Sequence, residues 1–186
     1  MTRSENINFV YHEFKRFFRN VGVLLKTAEE LFEPHGWKYM PRSRSTSAKR
    51  GPGESDRWMP RECFLWVANP NKEHLVVYLA VNLDNPYDLS GANSAMVTAG
   101  CFDFGVGNKC RDAWDYPYTT FHFLNPSRKD DGTPCEAIGS FVGHMHPKGY
   151  LIKRAMSLGR PLEEVTTSAE LEKNIVSPFV QSILQW

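Results

Sequence analysis

The chain of 186 residues carries 22 Lys and Arg against 21 Asp and Glu, and this net charge of +1 argues against a general nucleic-acid coat protein, whose domains are strongly basic. Its 41% apolar and 23% charged residues are ordinary for a globular protein that buries one core, which argues against disorder of the whole chain. No apolar run approaches the roughly 20 residues that span a bilayer, and no signal-peptide core follows Met1. We therefore expect a single cytoplasmic domain over residues 1–186, with no membrane partner.

The first predicted element is a long amphipathic helix over residues 5–33. Its apolar positions recur at intervals of three and four residues and line one face: Ile7, Val10, Phe14, Phe17, Val21, Leu24, Ala28 and Leu31. Charged side chains occupy the opposite face, and Pro34 with Gly36 supplies a stop signal. We expect the apolar face to pack on a sheet through Phe14, Phe17, Val21, Leu24 and Leu31.

Apolar alternation predicts a series of strands after this helix. The segments are 37–40, 61–68, 74–83, 94–104 and 118–124, with a further candidate at 138–142. Segment 74–83 is apolar on both faces, which is typical of a central strand covered on both sides. Residues 151–158 fit a short helix as well as a strand, and the sequence leaves their state open.

A last helix is predicted to begin at the capping box formed by Thr167 and Glu170, and Pro178 is expected to kink or split it. Consecutive strands with short connections predict antiparallel pairing. The predicted fold class is therefore α+β. It consists of one domain with a largely antiparallel sheet of about five to six strands, covered by the long N-terminal helix and a C-terminal helix.

A basic, Ser- and Gly-rich segment at residues 41–57 interrupts this pattern and is expected to form a mobile loop. Its Arg and Lys side chains would bind phosphate groups, while a neighbouring ring such as that of Trp58 or Trp66 would stack on a base. A second aromatic cluster follows later in the chain. The two segments supply the predicted ligand-binding residues: Arg42, Arg44, Lys49, Arg50, Arg57, Trp58, Arg61, Trp114 and Tyr116. The alternative for the basic segment is a solvated loop that binds nothing. The alternative for the aromatic cluster is an edge strand packed on the core.

His144 and His146 form the most enzyme-like pattern of the chain. On a strand, residues i and i+2 project to the same side, and imidazole is a good zinc ligand. A metal site needs at least a third ligand, which the sequence does not place, and a polar turn with two solvated histidines is the alternative. The four cysteines lack a CxxC pair, so we expect free thiols, with Cys63 and Cys101 buried in strands.

We interpret the sequence as a non-enzymatic cytosolic binding or regulatory domain. It would recognise a partner protein or an anionic, nucleotide-bearing ligand through the basic segment and the aromatic cluster, with nucleic acid among the candidates and without a cofactor. The alternative is a metal-dependent phosphoester hydrolase that uses His144 and His146. No motif has the specificity of a paired CxxC zinc site or a phosphate loop, so the sequence names no ligand and leaves the oligomeric state open.

Overall fold

The fold begins with a long helix that ends at a glycine. The computed structural model describes residues 3–40, 46–47, 62–83, 95–105, 135–142 and 151–186. Helix α1 (Arg3–Phe32) leads into a 3-10 turn, Glu33–His35. Gly36 closes this turn with a φ of 81° and donates its N–H to the Glu33 carbonyl at 2.9 Å. Glycine adopts this left-handed conformation without steric strain, so the predicted stop is confirmed.

An antiparallel sheet follows α1. Its strands are β1 (Lys38–Tyr39), β2 (Thr46–Ser47), β3 (Glu62–Ala68), β4 (Leu75–Asn82), β5 (Met96–Asp103), β6 (Cys135–Val142) and β7 (Leu151–Pro161). The order across the sheet is β1-β3-β4-β5-β7-β6, and the short β2 pairs with β3 at the end away from β1. Five long antiparallel strands with an N-terminal and a C-terminal helix confirm the predicted α+β class.

Strand β7 settles the state of residues 151–158, which the sequence left open. Its Met156 and Leu158 point to the helix-covered face of the sheet, while Ala155 points to the other face. Because both faces of β7 are buried, its apolar residues do not alternate with polar ones, and a strand of this kind resembles a short helix in sequence. Pairing with β5, from Asp103 opposite Arg154 onward, selects the strand.

Two strand boundaries differ from expectation or fall outside the described residues. β6 begins at Cys135 rather than Ile138, because Cys135 already pairs with Ser157 of β7. The predicted strand at 118–124 lies outside the described residues. So does the basic segment 41–57, except for the two residues of β2.

The C-terminal helical segment has three parts. It consists of α2 (Ser168–Leu171), a π-helical turn (Glu172–Val176) and α3 (Ser177–Leu184). The predicted capping box at its start is present, with Thr167 and Glu170 bonded reciprocally. Pro178 has no N–H to donate to the carbonyl four residues earlier, which explains why the helical pattern is interrupted just before it. The helical segment thus changes type just before Pro178 and continues to Leu184, rather than splitting into two separate helices.

The helices described here cover one face of the sheet. Phe32 at the end of α1 meets Phe179 of α3 edge to face, with ring centroids 6.3 Å apart, and both side chains are fully buried. The other face carries a second buried cluster of mainly aromatic side chains, which includes Trp66 and Tyr78 of adjacent strands. The predicted central strand covered on both faces is therefore confirmed for β4, and β5 is buried on both faces as well.

Only the C-terminal half of α1 packs on the sheet. Val21, Ala28 and Phe32 are buried there. The prediction that Phe14 and Phe17 pack on the sheet is wrong, since neither belongs to the core and Phe17 is 37% exposed. The reason is length: the 30 residues of α1 span about 45 Å, whereas the eight residues of β4 span about 26 Å. The first turns of α1 therefore extend past the strands.

Despite its length, α1 carries too many charged side chains to qualify as a membrane span. None of the helices in the described part of the chain is both long and apolar enough to cross a bilayer.

Candidate functional site

The first half of α1 exposes an apolar stripe. Residues 4–12 are all exposed, and the stripe continues the line of side chains that buries Val21 and Ala28 further along the helix. Its members are Ile7 (63% exposed), Val10 (56%), Tyr11 (64%), Phe14 and Phe17 (37%). We call these five residues the α1 stripe. A sequence pattern alone does not reveal it as a surface, because exposed and buried parts of one amphipathic face look alike.

Aromatic rings consolidate the C-terminal end of the stripe. Phe18 lies against Phe14 with ring centroids 5.7 Å apart and against Phe17 at 5.4 Å, the latter in an edge-to-face arrangement. Phe18 itself packs partly against the core. Aromatic pairs at these distances prefer such tilted and edge-on geometries. The rings thus form a continuous apolar connection between the exposed stripe and the hydrophobic core.

A groove adjoins the stripe where α1 passes the start of α2. It has a volume of about 440 Å³, and we call it the α1–α2 groove. One wall comes from α1 and the other from the connection between β7 and α2. The apolar lining residues are Phe17, Val21, Val23, Leu24, Leu162, Val165 and Leu171, and Asn20, Thr27, Thr166, Thr167 and Ser168 supply the polar ones. This size and this mainly apolar lining suit an apolar side chain or ligand.

The capping box makes the second wall of the groove rigid. Glu170 accepts hydrogen bonds from the Thr166 hydroxyl at 2.9 Å, the Thr166 N–H at 3.0 Å and the Thr167 N–H at 2.9 Å. In return the Glu170 N–H donates to Thr167 Oγ1 at 3.2 Å. These hydrogen bonds stabilise the charged carboxylate and lower the pKa of Glu170 below its ordinary value of 4.5. Those from Thr166 have the largest effect, followed by those from Thr167.

Replacing Glu170 by Gln should reduce stability in a pH-dependent way. A lowered pKa in the folded state means that the charged carboxylate stabilises the fold above its ordinary pKa, and that this contribution disappears as the pH falls through the folded-state pKa. We expect Glu170→Gln to unfold more easily than the wild type at neutral pH and to approach it under acid conditions. Urea unfolding from neutral pH to well below 4.5 measures this. A difference that stays constant with pH would contradict it.

Charged side chains of α1 border the stripe. Lys15 lies one turn after Tyr11, and Glu13 lies one turn after Val10. Lys15, Arg16 and Arg19 are exposed. Arg16 and Glu13 form an ion pair of 2.9 Å in which both side chains are largely exposed, so it contributes little stability. A molecule that covers the α1 stripe would therefore bury apolar area between flanking charged side chains that stay accessible to water.

The site residues predicted from sequence lie outside the described part of the chain. This applies to the basic residues, to the aromatic cluster and to the histidine pair: Arg42, Arg44, Lys49, Arg50, Arg57, Trp58, Arg61, Trp114, Tyr116, His144 and His146. Their predicted roles stay predictions. Among the residues that the structure does describe, no group of three His, Cys, Asp or Glu side chains could hold a metal ion.

Four other polar or aromatic residues of the sheet have structural roles. Trp66 does not form an exposed stacking platform, because it is only 2% exposed and packs against Tyr78 with ring centroids 5.6 Å apart. Asp103 closes the end of β5 by accepting the Gly105 N–H at 2.6 Å. Cys63 and Cys101 are buried in β3 and β5, as predicted. Burial, and secondarily the charge of Asp103, raises the pKa of Cys101 well above its ordinary value, so this thiol is not a nucleophile at neutral pH.

The second face of the sheet carries a row of rings from three strands. Beyond the pair of Trp66 and Tyr78, Tyr78 stacks on Phe102 with centroids 5.9 Å apart, and Phe102 contacts Phe104 at 6.3 Å. Asn82 donates to Thr98 Oγ1 at 2.8 Å within the same buried face. Trp66 Nε1 is buried without a hydrogen-bond partner among the described residues. These rings form a core layer rather than an open site.

Comparison with known proteins assigns no family. No protein-family model, no curated protein and no solved structure matches the chain. The function therefore has to be argued from the α1 stripe and the α1–α2 groove.

Proposed function

We propose that this protein is a protein-binding domain that docks an apolar helical segment of its partner along the α1 stripe. One observation carries this proposal: three large side chains of one helix face, Ile7, Val10 and Tyr11, are each more than half exposed. Monomeric proteins rarely leave a contiguous apolar patch of this kind in water, and such patches mark interaction sites. Single exposed residues such as Phe9, which lies off the stripe, need no such explanation.

The shape of the stripe favours a helix as the bound segment. Its residues follow the i, i+3, i+4, i+7 spacing by which one helix presents anchors to another. The α1–α2 groove continues the stripe and offers a pocket for a large apolar anchor, the feature around which binding energy concentrates in protein interfaces. An overhanging helix also gains from a partner, because short helices without tertiary contacts are marginal in water.

Site-specific photocrosslinking tests this function. A photoreactive benzoylphenylalanine in place of Tyr11 (64% exposed) should crosslink the protein in living cells of its native host to an apolar helical segment, identified by mass spectrometry. The same group in place of Phe9 (57% exposed) is the matched control, because Phe9 is equally accessible but lies off the stripe. Equal crosslinking from the two positions, or adducts at segments without apolar helical spacing, would count against the proposal.

The other interpretations of the sequence remain predictions. Recognition of an anionic ligand depends on the basic segment and on Trp114 and Tyr116, while the hydrolase alternative depends on His144 and His146. All of these residues lie outside the described part of the chain. The α1 stripe and the α1–α2 groove favour a protein partner, because they offer apolar area and no convergent charges.

A further inference from the structure

We draw no further inference here: the strongest candidate, the exposed apolar stripe on the first half of α1 with the groove that adjoins it, belongs to the site already described, and nothing in the described part of the chain shows what covers it.

Discussion

Phe32→Ala should lower the free energy of unfolding by about 3–5 kcal/mol, the range observed for removal of a large aromatic side chain from a core. Phe32 is completely buried and joins the end of α1 to Phe179 of α3 through an edge-to-face contact. Its loss leaves a cavity between two elements that are far apart in sequence and meet only in the folded state. Urea unfolding monitored by circular dichroism measures the change.

Phe17→Ala is the matched control for this prediction. It removes the same ring from the same helix, but at a position that is 37% exposed. We expect a loss of about 1 kcal/mol or less, measured by the same urea unfolding. Comparable losses from the two variants would contradict the division of α1 into an anchored and an overhanging half.

Gly100→Ala should destabilise the fold by at least about 2 kcal/mol, although it adds a single methyl group. Gly100 lies directly opposite Tyr78 in the pairing of β4 and β5, and the Tyr78 ring covers the glycine backbone. A Cβ at residue 100 would overlap the ring atoms of Tyr78, which is only 1% exposed and has no free space to move into. Thermal and urea unfolding measure the loss of stability.

Two further variants test the cause of this effect. Gly22→Ala makes the same substitution in α1, where nothing lies within 4 Å, and it should stabilise the chain by about 0.5–1 kcal/mol because Ala favours helix over Gly. Tyr78→Leu combined with Gly100→Ala should cost less than the sum of the two single changes, because the smaller side chain removes the overlap. If the loss of stability of the double variant equals the sum of the two single losses, the Tyr78 ring is not what disfavours a side chain at residue 100.

The sequence predicted those features that depend on neighbouring residues. The extent of α1, its stop at Gly36 and the capping box of Thr167 and Glu170 all follow from local hydrogen bonding and backbone conformation. The class of the fold was also accessible, because strands that follow each other with short connections pair antiparallel. Burial of Cys63 and Cys101 followed from their positions inside apolar strands.

The tertiary structure decided the features that depend on distant residues. Periodicity shows that α1 has an apolar face, but the length of the strands beneath it determines that Val21 is buried and Val10 is exposed. The pairing of β7 with β5 determines that residues 151–158 form a strand, and the ring of Tyr78 determines that residue 100 must lack a side chain. The candidate site belongs to this second group. A sequence records which side chains are apolar, whereas the relative dimensions of helix and sheet decide which of them stay in contact with water and are free to bind.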